Sequence, residues 1–487
     1  MKRTPFSVSI FAGLVTVFAS IASVGSAQAQ IFCPSAIPGQ PGIALQNGTC
    51  TNGTTGAFSN AALASQALSD LSQSTTQETT RTATSAISDR RQVEADRCPD
   101  GTERVGGVCR RPAPAQATPA AVPAQPTSAE PARRRSQRSR RAARVERHAA
   151  PVRAPIYKAP PVPVIDQGVR VASWARVFGD YERRTGTGAS SINCCTNAVP
   201  PAGIPIPLVL SAESRASTVG FLGGVDFTSR NLLTAGDGLI AGVLVGYAET
   251  DFRLTTTTTS ADLNSVGNGS SILNARLSGP TVGAFVTYFN GGFSIDNTFK
   301  VDFLSLNESF VDNLAFTANA PVPPPTMATF TGSGSTSLTN YSSFGNINYR
   351  FHLSDQYWIE PTVGYNYTWT EYGSNAALLG LSNGSLLRVQ GGARFGIEPM
   401  WDRVRVTTTV TGLAYEDVSV SGGVLQNAAF GTTSSLLLAQ EGKIRGQGIL
   451  AFNFDFGNGF SSFVLGEVRG GEGLFGAGGK AGVRYQW

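Results

Sequence analysis

Residues 474–487 read LFGAGGKAGVRYQW, and their alternation decides the fold. Phe475, Ala477, Gly479, Ala481, Val483, Tyr485 and Trp487 fall on one side of an extended chain, because side chains alternate with period two. Lys480 and Arg484 fall on the other, among glycines and Gln486. A charge facing lipid near the bilayer midplane costs about 2–4 kcal/mol. The charged face therefore points inward and the aromatic face outward, the reverse of a soluble barrel.

The same split recurs upstream. Over 387–399, Leu387, Val389, Ala393, Phe395 and Ile397 oppose Arg388, Gln390, Arg394 and Glu398. Over 357–369, Tyr357, Ile359, Val363, Tyr365, Tyr367 and Trp369 share a face, with aromatics at both ends as an interfacial girdle requires. Over 293–303, Phe293, Ile295, Phe299, Val301 and Phe303 oppose Asp296, Lys300 and Asp302. Twelve such segments are expected, near 170–184, 214–230, 238–253, 273–289, 292–306, 338–353, 356–371, 386–398, 403–417, 441–456, 460–469 and 474–487. The weakest is 460–469, where Phe463 and Leu465 share a parity with Glu467 and Arg469. The connections alternate long and short except the last, 470–473, and outer-membrane barrels have long extracellular loops and short periplasmic turns. The expected fold is all-β, a twelve-stranded antiparallel transmembrane β-barrel with both ends on the periplasmic side. Inward charges at Arg176, Asp180, Arg350, Glu360, Arg388, Arg394, Lys480 and Arg484 are expected to fill the lumen or to line a pore.

Composition agrees with a lipid surround. Charged residues are 15% of the 487, against roughly 25% in soluble domains. The 2 histidines and 3 methionines leave no His cluster and little for a His-based triad. Residues 476–481 resemble a phosphate loop only superficially, since Leu474 stands where the first Gly belongs, Ala481 replaces Ser/Thr and no helix follows. No enzyme, metal or cofactor is expected. Residues 1–29 read as a secretory signal: Lys2 and Arg3, an apolar stretch over 10–22, then Ala27-Gln28-Ala29 as the cleavage motif. Export implies an oxidising compartment.

Residues 30–165 have a different grammar, rich in Pro, Ala and Arg and expected to be largely disordered. A thin helical face at Leu63, Ala64, Ala67, Leu68 and Leu71 is its one periodic feature, while residues 150–169 carry five prolines and read as extended. Cys33 with Cys50, and Cys98 with Cys109, bracket short loops suited to local disulfides, with zinc as the alternative; Cys194 and Cys195 are open between a disulfide and free thiols. Arg133, Arg134, Arg135, Arg138, Arg140, Arg141, Arg144 and Arg147 place eight guanidinium groups in fifteen residues. They suit an anionic envelope polymer or lipid A phosphate, or form a solvated linker. Without aromatic platforms, no specific nucleic acid is expected. Residues 31–165 hold 17 basic and 9 acidic side chains, whereas the barrel is net acidic.

The 166–487 region resembles the autotransporter (type V secretion) outer-membrane β-domain. The resemblance is carried by Trp174-Ala-Arg-Val-Phe-Gly179-Asp180, Trp358-Ile-Glu-Pro361, Leu387-Arg-Val-Gln-Gly-Gly-Ala-Arg394 and the ending Ala481-Gly-Val-Arg-Tyr485-Gln-Trp487. It implies a monomeric twelve-strand barrel in outer-membrane lipid, with Val483, Tyr485 and Trp487 as the signal for the barrel-assembly machinery. It further implies that the N-terminal region crosses the pore to the cell surface, for adhesion or envelope contact. The alternative is a porin-like channel or structural anchor with a periplasmic basic arm. The family enters its barrel through a luminal helix, whereas the proline-rich approach here reads as extended, and no repeat of a long β-helical passenger is present.

Overall fold

The computed structural model describes residues 59–95 and 169–487, apart from 194–204, 235, 261–265, 317–326, 355, 380, 402–403, 425–442 and 458, and the short paired segments Leu45–Gln46 with Thr49–Cys50 and Glu103–Val105 with Val108–Arg110. The chain divides into two units, 1–96 with 168–487, and 97–167. In the second, only the Glu103–Val105 hairpin is described. In the first, the long strands are β1 (Arg170–Asn193), β2 (Pro205–Arg230), β3 (Asp237–Ser260), β4 (Val266–Asn290), β5 (Phe293–Phe316) and β6 (Met327–Tyr349). Shorter ones follow: β7 (Tyr357–Tyr372), β8 (Leu381–Ile397), β9 (Val404–Val424), β10 (Arg445–Asp455), β11 (Phe460–Gly471) and β12 (Leu474–Gln486).

Each strand pairs antiparallel with its sequence neighbour, and β12 returns to β1 with Lys480 opposite Phe178 and Tyr485 opposite Ser173. Pairing of β12 with β1 closes the ring, as hydrocarbon demands of a sheet that spans it, while beyond Arg184 β1 pairs with β2 alone. All twelve expected strands are present. Those of the first half run further than their hydrophobic alternation indicated: β1 was expected to stop near 184 and continues to Asn193. Beyond the bilayer, alternation ceases to be enforced while ladder hydrogen bonds persist. A bilayer core needs only about 9–11 tilted residues, so strands of 23–26 residues overshoot it.

The outer wall carries the apolar parity, including Val177, Val219, Phe221, Val245, Phe299, Val363, Val464 and Phe475, all exposed. Strand β11 resolves its mixed parity simply: Val464 and Val468 face out, while Phe463, Leu465, Glu467 and Arg469 are all buried inside. Glycine on the inner wall makes room for large rings directly across the ladder. Trp358 lies opposite Gly396, where an added Cβ would fall 2.1 Å from the indole, and Trp174 lies opposite Gly224 in the same way.

Inside the barrel lies one helix, α1 (Ser59–Ala95), 37 residues long. The thin stripe expected around Leu63–Leu71 is only its first third, so the region read as mostly disordered contains a helix about 55 Å in length at 1.5 Å per residue. The approach read as extended over 150–169 lies, except for Val169, outside the described residues. From Ala67 to Glu94 none of its described side chains is exposed. A run of Thr75, Thr76, Thr79, Thr80, Thr82 and Thr84 is a poor helix former, so the surrounding wall decides its conformation. The threonine hydroxyls bond back to their own helix, Thr75 to the Leu71 carbonyl at 3.0 Å and Thr84 to that of Thr80 at 2.9 Å. They also reach the wall, as Thr75 does to Thr250 at 2.8 Å.

Candidate functional site

The site is the interface between α1 and the inner wall, and it changes character along its length. Near the long-loop end it is dry: Ala67, Leu68 and Leu71 pack among Leu254, Leu273, Leu277, Leu304, Leu306 and Leu338. Beside that layer Asp70 meets Arg184 at 2.9 Å. Asn340 donates to Thr76 at 2.5 Å and Asn366 to Gln77 at 2.8 Å.

The middle is an ion network. Arg469 reaches Asp180, Glu182 and Glu467 at 2.5, 3.1 and 3.2 Å. Lys480 reaches Glu78 of α1 at 3.1 Å and Glu467 at 3.4 Å, and Arg81 of α1 reaches Glu467 at 3.2 Å. Carboxylate oxygens of Glu78, Asp180 and Glu467 lie within 4.8 Å of one another, the spacing of a cation site. Arg81, Arg469 and Lys480 already neutralise them, so the geometry is that of an internally balanced salt network. Elsewhere on the wall, on β5, Lys300 joins Asp302 at 2.5 Å and Thr79 of α1 at 2.8 Å.

Toward the short-turn end three further sets grip the helix. Arg176 binds Asp89 at 2.7 Å and Ser85 at 2.8 Å, with its guanidinium 3.7 Å from the Phe463 ring centre. Glu360 accepts from Arg91 of α1 at 2.5 Å and Arg350 at 3.1 Å, with Arg394 at 3.6 Å. Arg350 also stacks on Trp358, and Arg394 donates to Ser88 at 2.6 Å. Arg90 pairs with its own-helix Glu94 and with Asp226 at 2.6 Å, and Arg230 and Gln486 close on Glu94, each at 3.1 Å. Arg388 binds Asp417 at 2.7 Å, and Arg484 donates to the Ala86 carbonyl at 3.1 Å. The eight charges singled out from sequence thus all face the lumen. Arg176, Glu360, Arg388, Arg394, Lys480 and Arg484 touch α1 directly. Asp180 lies 3.8 Å from Arg81, whereas the Arg350 contacts given above are with the wall.

Sequence reasoning missed the other half of the network. Glu182, Asp226, Asp417 and Arg445 share the inward parity and follow from it directly, Lys300 and Asp302 were placed on the inward face of 293–303 without being singled out, and Glu467 and Arg469 were obscured by the mixed parity of 460–469. Glu78, Arg81, Asp89, Arg90, Arg91 and Glu94 carry no such signal, because a helix polar on every side has no moment to betray it. Val483, Tyr485 and Trp487 sit on the outer wall, with the rings of Tyr485 and Trp487 stacked 5.9 Å apart. Cys33, Cys98, Cys194, Cys195 and the arginines from 133 to 147 lie outside the described residues. Cys50 and Cys109 are described only in backbone, opposite Leu45 and Arg104. A cavity of about 90 Å3 remains between Gln77, Arg81, Ser88 and the β7–β11 side of the wall. It has room for water but not for a polypeptide.

A closed antiparallel barrel, apolar outside, charged inside and plugged by a helix, defines a transmembrane barrel of the outer-membrane type. The family model for the autotransporter beta-domain matches residues 173–465, more than half of the chain, and the chain belongs to that family. Such domains are outer-membrane proteins of Gram-negative bacteria whose barrels serve passenger translocation. Among solved structures, the chain is similar to the β-domain of the Bordetella autotransporter BrkA at 17% identity and TM-score 0.36, covering 65% of this chain and 98% of that one. It is similar to the transport unit of the Escherichia coli autotransporter AIDA-I at 12% and 0.40, covering 64% and 90%. The translocator domain of Neisseria meningitidis NalP gives 13% and 0.35, covering 65% and 88%. No curated protein matches the chain in sequence.

Proposed function

We propose that this barrel exports a short N-terminal segment, residues 31–58, and holds residues 96–168 on the periplasmic side, with α1 as the plug between them. The direction of α1 carries the reading. Its Asp70 lies beside Arg184, far along β1, whereas its Glu94 lies beside Arg230 and Gln486, at the end where β1 begins. The chain therefore leaves α1 and enters β1 at the same end of the barrel, which is the short-turn end. Short turns face the periplasm in barrels of this kind. Only the segment before α1 then emerges at the surface, for adhesion or envelope contact, a narrower export than the whole of 31–165. The retained segment carries the arginines from Arg133 to Arg147, whose guanidinium forks suit an anionic polymer of the envelope.

The same contacts favour a plug over a porin-like channel, since pulling α1 free breaks buried ion pairs on every side. The test is an epitope at residue 40 or at residue 120, with protease added to intact cells. The expected result is loss of the epitope at 40 and survival of that at 120 until the outer membrane is permeabilised. Loss of both restores export of the whole region. Survival of both makes the barrel an anchor with no display.

A further inference from the structure

Four arginines on the outer wall have no place in the plug. Arg183 of β1 lies opposite Arg215 of β2, and Arg215 lies opposite Arg253 of β3, so three guanidinium groups form one row across adjacent strands. Arg276 of β4, opposite Asp251, flanks the row. Like charges directly opposite in a ladder destabilise it. The carboxylates nearby only partly relieve this: Arg183 donates to both oxygens of Glu213 at 3.0 and 3.2 Å, Arg215 shares that one carboxylate at 2.7 Å, and Arg276 pairs with Glu249. Arg253 makes no ion pair among the described residues. All four side chains are exposed.

Height and shape add two independent constraints. The row begins two residues beyond Tyr181, the last member of the outward run Ala175, Val177, Tyr181 on β1, and six beyond Tyr247 on β3. It therefore sits at the level of the headgroups on the long-loop side, where Tyr marks the interface. The wall there is concave: a hollow of about 560 Å3 is lined by Tyr181, Arg215, Asp251, Arg253, Arg276 and Asn307, among others.

We infer that this hollow binds the phosphates of a phosphorylated glycolipid of the outer leaflet, lipid A. The guanidinium forks donate to phosphate oxygens in bidentate fashion, the phosphate charge removes the like-charge strain of the row, and the acyl chains lie along the valines below. The inference rests on the orientation proposed above, with the long-loop end outside.

The test is lipid A retained by the folded, purified full chain, read by native mass spectrometry. The comparison is between wild type and the fourfold variant Arg183→Gln, Arg215→Gln, Arg253→Gln, Arg276→Gln, with heat-modifiable migration reporting the folded fraction. Expected are at least tenfold lower retention in the variant and preference of the wild type for diphosphorylated over dephosphorylated lipid A. Equal retention, or indifference to the phosphates, overturns the site. If the fourfold variant does not fold, the pair Arg183→Gln, Arg253→Gln is read in its place, with severalfold lower retention expected and wild-type retention overturning the site. An epitope inserted at residue 431, in the β9–β10 connection, separates this from failure of the orientation. An epitope accessible on intact cells with retention unchanged overturns the site alone, and one buried from the outside overturns the orientation with it.

Discussion

Arginines on the two walls of this barrel live under opposite rules. Inside, Arg469 is 1% exposed and touches three carboxylates, and Arg91, Arg350 and Arg394 converge on the single carboxylate of Glu360. Outside, Arg183, Arg215 and Arg253 face one another, with side chains of Arg183 and Arg215 48% and 59% exposed. The difference teaches where charge can be tolerated in a membrane wall. Burial makes an unpaired ion very costly, so most luminal charges are held in ion pairs. Water and headgroups screen the outer row, so it can stay under-compensated and ready for an anion.

The largest effect should come from breaking the inner rule. Arg469→Ala leaves Asp180, Glu182 and Glu467 with one cation fewer in a buried site, and about 3–5 kcal/mol of stability should be lost. Equilibrium urea unfolding in lipid vesicles, followed by tryptophan fluorescence, measures it; a loss under about 1 kcal/mol would mean that water screens the network. An arginine placed on the outer wall below the headgroups sharpens the comparison. Val363, 58% exposed between the girdle residues Tyr357 and Trp369, sits in the apolar belt. Val363→Arg should cost about 2–4 kcal/mol in the same assay, against almost nothing for the arginines one level higher. The smallest effect is expected for Arg253→Gln. In detergent without glycolipid it should change stability by less than about 0.5 kcal/mol, and a loss of several kcal/mol would contradict a screened, under-paired row.

Legibility followed the same division between walls. The lipid face repeats every second residue, so the twelve strands, their parity and eight of the luminal charges follow from spacing alone. Strand ends beyond the bilayer were not legible, because Thr255–Ser260 of β3 and Gly332–Thr336 of β6 are held by ladder hydrogen bonds and carry no hydrophobic alternation in sequence. Least legible was α1. Its Thr-rich middle has weak helix propensity, and past Leu71 its buried apolar positions shrink to Ala83, Ala86 and Ile87, so little local distinguishes it from linker.

By itself, then, the sequence determined an all-β outer-membrane barrel, which face of each strand meets lipid, and which charges turn inward. The cause is that hydrocarbon imposes a residue-by-residue penalty on polar groups, and such a penalty is written locally. Tertiary structure alone decided that residues 59–95 form the plug, in which direction they run, and which guanidinium meets which carboxylate. Those choices depend on pairs far apart in the chain, such as Arg91 with Glu360 and Lys480 with Glu78. A buried charge specifies that it needs a partner, but only the closed ring specifies which one.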